Sequence, residues 1–348
     1  MSLVFDGHND VLTRLWLSNS PNPAQAFLQQ RLAGEMDLQR CQMAGFAGGL
    51  FAIFVPPFEY VQQHVPHKLA NPQADQFSQQ DMQNICLKQL AILQEIVTDP
   101  NQQVKLCTSS AEIRQCIEQQ KLAVVLHLEG AEAIAEDLEL LDVLYQAGLR
   151  SIGPLWNRQS LFGHGLKAAF PHSPNTGAGL TDLGKQLVKR CAELRMVVDV
   201  SHMNERAFWD TAELLQQPLV ATHSNAHTLC PQARNLTDHQ LKAFQETQGM
   251  IGVNFDTAFL REDGQRNRET SLDVILDHIE YLMAHVGEAH VGFGSDFDGG
   301  FISQELEDVT GLPKIVQRMQ QRRGYSENLI HQLCRENWLN TLERIWGK

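Results

Sequence analysis

The sequence predicts an α/β protein folded as a (β/α)8 TIM barrel. Three observations lead there. Short apolar, β-branched runs recur eight times along the 348 residues. Segments with helical periodicity separate them, as parallel βα units require. No Gly-x-Gly-x-x-Gly follows the first run, which weakens the alternative of a doubly wound open sheet built to bind a dinucleotide.

The runs are "LVFDGHND" (3–10), "GGLFAIFV" (48–55), "LAVVLHLEG" (122–130), "LRSIGPLW" (149–156), "MVVDVSH" (196–202), "PLVATHS" (218–224), "GMIGVNF" (249–255) and "HVGFGSDFDG" (290–299). Most are apolar or β-branched throughout, the pattern of parallel strands covered by helices. Between them, "TDLGKQLVKRCAELR" (181–195) opens on Thr181, an N-cap, and repeats apolar residues at three-to-four spacing. "SLDVILDHIEYLMAHVG" (271–287) takes Ser271 as its cap and stops at Gly287. "NERAFWDTAELLQQ" (204–217) and "TDHQLKAFQETQG" (237–249) follow the same rules. Residues 56–80 and 157–180 exceed what a minimal barrel needs. Both are predicted as long loops on the C-terminal rim, where loops shape a substrate site. No repeat, low-complexity tract or linker interrupts the chain, so one catalytic domain over residues 1–348 is expected.

Hydrophobic residues make up 43%, enough for a large core. The net charge of -13 and pI of about 5.5 argue against nonspecific nucleic-acid binding and against an anionic membrane surface. Metal cations are compatible with that charge. The seven cysteines (41, 86, 107, 116, 191, 230 and 334) form no Cys-x-x-Cys pair and read as free thiols of a reducing compartment. No basic-then-apolar leader opens the chain, and no run approaches about 18 apolar residues, so no membrane span and a cytoplasmic location are expected.

Polar residues gather at the C-terminal ends of the runs: His8 and Asp10, Glu129, His202, His223, then Asp296 and Asp298. A barrel brings such ends to one mouth. In the first run Asp6, His8 and Asp10 alternate, so they share a strand face, and burying them calls for partners. A metal ion supplies one. Imidazole and carboxylate without thiolate suit Zn²⁺, and also Mn²⁺, Co²⁺ or Fe²⁺. Three histidines, an aspartate and a glutamate exceed the usual set of one catalytic zinc, whereas two metals sharing a carboxylate use them all. Each residue has a plainer alternative. Ser201 could cap a helix that starts at His202, "GSDFDGG" could be an Asx-rich turn, and Glu129 could pair with a nearby cation. His127 is read as structural, with Asp6 as a neighbour supporting the ligands or the barrel floor. Histidines 64, 67, 164, 172, 227, 239, 278, 285, 290 and 331 are read as surface or supporting residues.

The motifs "DGHNDVL" (6–12), "HLEGAEAI" (127–134), "DVSHMNERAFWD" (199–210), "ATHSNAHTLCPQARNLTD" (221–238) and "GFGSDFDG" (292–299) resemble the membrane dipeptidase (renal dipeptidase, peptidase M19) family. That family belongs to the amidohydrolase-like metal-dependent hydrolase barrels, and the likeness is to its soluble bacterial members. The resemblance implies His8 and Asp10 on one metal, Glu129 bridging both, and His202 and His223 on the second. It implies two Zn²⁺, with Mn²⁺ or Co²⁺ as substitutes, activating a water for dipeptide hydrolysis. Asp296 would shuttle the proton, and a D-residue would be accepted at the C-terminal position. Arg234, in "ARN", would bind the substrate carboxylate; a planar guanidinium can grip a carboxylate at two points. One departure stands out. Trp156 lies where animal members carry a histidine near the end of the fourth run. An indole donates one hydrogen bond but cannot become cationic, so that histidine's role does not transfer. Trp156 is instead expected to shape the substrate pocket. The expected partners are a small dipeptide and a second copy of the chain in a homodimer. Alternatives are a related binuclear amidohydrolase acting on N-acyl amino acids or lactones, and a non-catalytic metal-binding homologue. Deaminase-like and phosphotriesterase-like barrels open on His-x-His, unlike His8-Asn9-Asp10.

Overall fold

The computed structural model describes residues 2–29 and 33–347. Its strands are β1 (Val4–Asn9), β2 (Phe46–Phe54), β3 (Val104–Leu106), β4 (Leu122–Glu129), β5 (Leu149–Gly153), β6 (Gln159–Ser160), β7 (Gly163–His164), β8 (Val197–Val198), β9 (Val220–Ala221), β10 (Met250–Val253) and β11 (Val291–Phe293). Parallel pairing gives the orders β1-β2-β4-β5-β8 and β11-β10-β9. Two single parallel bridges join these sheets, Asp199 with Val220 and Asn9 with Phe297. Together they close a ring of eight strands, the predicted barrel. Each of the eight predicted runs supplies one member of that ring.

β1, β2 and β4 are buried along their whole length. One cluster packs between the strands and the outer helices, including Ile53, Leu126, Ile152, Ile251 and Phe293. A second cluster joins Phe5, Leu50, Val125, Val197, Val220 and Met250 to Trp338, Leu339 and Leu342 of the C-terminal helix Asn337–Trp346. The Trp338 indole N–H donates to the Phe293 carbonyl at 2.8 Å. Glycine makes this possible: a Cβ on Gly7 would lie 2.4 Å from the Trp338 ring, and one on Gly292 2.9 Å from its Nε1.

Several helix ends follow the sequence. Thr181 accepts from the Gly184 N–H at 3.0 Å and caps Asp182–Glu193. Thr237 and Gln240 form a capping box on Asp238–Glu246. Gly287 ends Asp273–Val286 with φ +94°. Other details differ. Ser271 lies outside the N-cap position, which Leu272 occupies, though its hydroxyl accepts from the Asp273 N–H at 3.2 Å. Asn204, not Ser201, caps the helix after His202, which begins at Glu205. β3 pairs with the first half of β4 outside the ring; three residues were too short a signal to read. The segments predicted as rim loops carry structure of their own: a helix at Phe58–His64 in the first, the β6–β7 hairpin in the second. No helix among the described residues is long and apolar enough to cross a membrane.

Candidate active site

Glu129, the last residue of β4, sits at the centre of the barrel mouth. Its Oε1 lies 2.9 Å from His202 Nε2, 3.5 Å from His223 Nε2 and 3.7 Å from His8 Nε2. His8 Nε2 is 3.3 Å from Asp10 Oδ2. The two Nε2 atoms of His202 and His223 are 3.0 Å apart, and the His8 ring stacks on that of His223 at 3.8 Å. All five residues are buried. They come from the ends of β1 and β4 and the segments following β8 and β9, so the ring assembles what the chain keeps far apart.

The hydrogen-bond network sets the imidazole tautomers. His202 Nδ1 faces the Asn157 amide oxygen at 2.9 Å, so Nδ1 carries the hydrogen. His223 Nδ1 faces Thr222 Oγ1 at 2.7 Å. The Thr222 hydroxyl donates to Asp199 Oδ2 at 2.6 Å and therefore accepts from His223. Both rings thus turn bare Nε2 lone pairs toward each other and toward a carboxylate oxygen. Burial lowers both pKa values well below the usual range, so protonation does not relieve that contact. Around the same point, burial raises Glu129 well above the carboxylate range, with Asp10 and Asp296 adding repulsion. His8 is desolvated too, yet the nearby carboxylates of Glu129, Asp10 and Asp296 push its pKa up to about 10. Asp10 Oδ1 and His8 Nδ1 are buried without a hydrogen-bond partner among the described residues.

Convergent lone pairs, crowded carboxylates and unpartnered atoms fit divalent cations. Two donor groups, His8–Asp10–Glu129 and Glu129–His202–His223, each lie within 4.8 Å and share Glu129. A third group brings Asp296 to His8 and His223.

Asp296 follows β11 in the left-handed region, φ +60°. Its Oδ2 accepts from Asn254 Nδ2 at 2.8 Å, and burial raises its pKa to about 7. Asp298, two residues on, has another task. Its Oδ1 accepts from the Glu35 N–H at 2.6 Å, its own N–H donates to Glu35 Oε2 at 2.7 Å, and its Oδ2 meets Arg14 Nε at 2.9 Å. So Asp298 ties the turn down while Asp296 faces the site. Asp6 is not a member of the donor groups and accepts from the Ser295 N–H and hydroxyl at 2.8 and 2.6 Å. The β1–β2 register shifts between Asp6 and Asn9, which breaks the strict alternation expected of the first run. His127 contacts Ser151 Oγ at 2.8 Å and the edge of the His8 ring at 5.4 Å, outside the donor groups.

Arg234 is buried behind His223. It donates from Nη1 to Ser224 Oγ at 2.8 Å and from Nη2 to the His223 carbonyl at 2.9 Å, with Nε unpartnered among the described residues. Burial lowers its pKa to about 10, which leaves it charged at neutral pH. Trp156 lines the site cavity, a space of about 270 Å³, with its ring 4.8 Å from Phe54 and 6.0 Å from His202.

Sequence reading missed Asp199, Thr222, Asn157 and Asn254, whose roles need a partner across the ring. Asn254 is the last residue but one of the seventh run, where a strand-end rule would have pointed to it. His278 corrects a reading. It is fully buried, accepting from the Ala226 N–H at 3.1 Å and donating to the Leu260 carbonyl at 2.9 Å.

Comparison with known proteins agrees with this architecture. The chain matches the family described as "Membrane dipeptidase (Peptidase family M19)" over residues 1–346. A protein of Acinetobacter calcoaceticus, described only by its position in the PQQ-III 3′ region, is 62% identical over 81% of this chain and 90% of its own length. "Dipeptidase tcpJ" of Claviceps purpurea is 26% identical over 98% of this chain and 76% of its own. Among solved structures, the M19 metallopeptidase named dipeptidase AC is 44% identical, with a TM-score of 0.92 over 100% of this chain and 99% of that one. A metallopeptidase from Rhodobacter sphaeroides, liganded with a phosphinate mimic of the dipeptide L-Ala-D-Ala, is 43% identical, with a TM-score of 0.92 over 99% of this chain and 100% of that one. The match along nearly the whole sequence and the shared barrel place the chain in the membrane dipeptidase family, peptidase family M19.

Proposed function

We propose that the protein is a metal-dependent dipeptidase that hydrolyses the peptide bond of dipeptides with two bound Zn²⁺, for which Mn²⁺ or Co²⁺ can substitute. The observation that carries this reading is the convergence of His202 Nε2 and His223 Nε2 on Glu129 Oε1, with both Nδ1 atoms held by acceptors. His8, Asp10 and Glu129 would hold one cation, and Glu129, His202 and His223 the other. When bound, the cations lower the pKa of water into the neutral range and polarise a carbonyl.

The chain's own residues do the rest. Asp296, poised near neutral pH with Oδ2 held by Asn254, takes a proton at its free Oδ1 and returns it to the leaving amine. Arg234 has used two of its five N–H groups and keeps three for a substrate carboxylate. Trp156 closes one wall of a cavity small enough to favour a short substrate. Tolerance of a D-residue at the C-terminal position is supported by the L-Ala-D-Ala mimic bound to the Rhodobacter sphaeroides relative. A cytoplasmic location belongs to the same reading, supported by seven buried, unpaired thiols.

Hydrolysis of L,L-, L,D- and N-acetylated dipeptides, before and after chelation and zinc add-back, tests the proposal. Turnover of L,D-dipeptides that disappears with chelation and returns with zinc supports it. Two bound ions with no dipeptide cleaved would sink the substrate while keeping the site.

A further inference from the structure

A second chamber, about 640 Å³, lies on the other side of Trp156 and shares that residue and Pro57 with the site cavity. The segments after β2, β4 and β5 build it. Phe58, Phe77 and Phe162 give it aromatic walls, and Glu59, Asp75 and Glu132 line it against Arg158, the one cation among its described lining residues. Glu132 is the unusual member. Its side chain is 6% exposed, its Oε1 accepts from Arg158 Nε at 2.7 Å, and its Oε2 is buried with no hydrogen-bond partner among the described residues. That oxygen is closed to solvent and packs against Gly130, so Glu132 gives the chamber negative charge from its buried side while Glu59 and Asp75 offer open acceptors. Aromatic walls suit an aliphatic stem, and a net excess of carboxylate suits a positive end.

The ring order fixes which end of a dipeptide faces this chamber. β2, β4 and β5 are neighbours in the ring, and β10 stands across from β4. The segment after β10 carries Phe259, 5.8 Å from the Arg234 guanidinium, and Arg266, whose Nη2 is 3.5 Å from Asp256. Both guanidinium groups therefore stand on the far wall. A substrate with its carboxylate toward Arg234 turns its N-terminal residue toward Trp156 and the chamber.

We propose that this chamber is the subsite for the N-terminal side chain, and that it takes the long cationic side chain of lysine or arginine. The proposal rests on the dipeptidase reading above. The stem runs past Trp156 between the aromatic walls, and the terminal ammonium or guanidinium meets the exposed carboxylates of Asp75 and Glu59, with the Glu132 carboxylate adding field from the buried side.

The test is the ratio of kcat/KM for L-Lys-L-Ala to that for L-norleucyl-L-Ala in the zinc-loaded protein, with L-Arg-L-Ala, L-Ala-L-Ala, L-Ala-L-Lys and L-Ala-L-norleucine alongside. Norleucine keeps the stem and removes the charge. We expect a ratio of about ten or more, the size of one charge-assisted hydrogen bond. The ratio should fall at least about fivefold in Glu132→Gln and in the Glu59→Gln/Asp75→Asn double variant, whose side chains are exposed and whose folding is not at stake. A ratio cancels any general loss of activity. A ratio near one, a ratio unchanged in both variants, or a lysine preference only at the C-terminal position overturns the subsite while dipeptide hydrolysis stands. No cleavage of any dipeptide overturns the dipeptidase reading and the subsite with it.

Discussion

Thr222 Oγ1 stands between His223 Nδ1, at 2.7 Å, and Asp199 Oδ2, at 2.6 Å. The hydroxyl has one hydrogen and gives it to Asp199, so it must accept from His223. That chain of two bonds determines which nitrogen of His223 faces the site. Thr222→Val keeps the shape and removes the acceptor. We expect metal affinity to fall about 10- to 100-fold, read as metal retained against a competing chelator. Retention equal to wild type would mean that Thr222 does not set the tautomer.

Asp296 separates proton transfer from metal retention. Asp296→Asn keeps the volume and the contact with Asn254 but cannot accept a proton. In the proposed mechanism kcat falls about 10²- to 10⁴-fold, with both metal ions still bound. Loss of metal together with activity would reassign Asp296 as a ligand, a role its proximity to His8 and His223 also permits.

His278 ties stability to pH. Burial lowers its pKa from the usual 6.5 to about 4. Between those values the unfolded chain binds a proton that the folded chain refuses. Stability is therefore full above pH 6.5 and falls as pH drops toward 4, by about 3 kcal/mol. Gln can replace both of its hydrogen bonds. Denaturant unfolding of the metal-free protein should show a shallower loss between pH 6.5 and 4 in His278→Gln than in wild type. Equal slopes would remove His278 from the account.

Trp338 plugs the barrel from the C-terminal helix and is fully buried. Trp338→Ala removes the indole and leaves the Phe293 carbonyl without its donor. The expected loss is about 3–5 kcal/mol of unfolding free energy, measured by urea titration. A loss under about 1 kcal/mol would mean that the barrel floor repacks around the gap.

The eight ring strands were legible in the sequence because parallel strands buried on both faces are written as continuous apolar runs. Caps such as Thr181 and Thr237 were legible for a similar reason, since each acts on a residue three positions away. The residues His8, Asp10, Glu129, His202, His223 and Asp296 could be picked out because each ends such a run and belongs to a short motif. Their supports could not. Asn157 reaches His202 across 45 positions, Asp199 reaches Thr222 across 23, and Asn254 reaches Asp296 across 42. His278 reads in sequence as a surface or supporting residue, and only its bonds to Ala226 and Leu260 show it fully buried. The chamber behind Trp156 draws its walls from three segments of the chain. Sequence by itself determined the strands, the helix ends and the chemistry offered at the mouth, because those depend on neighbours within a turn or a strand. The tautomers, the tied turn at Asp298, the buried His278 and the second chamber were decided only by the closed ring, because hydrogen-bond partners and cavity walls are set by proximity in space.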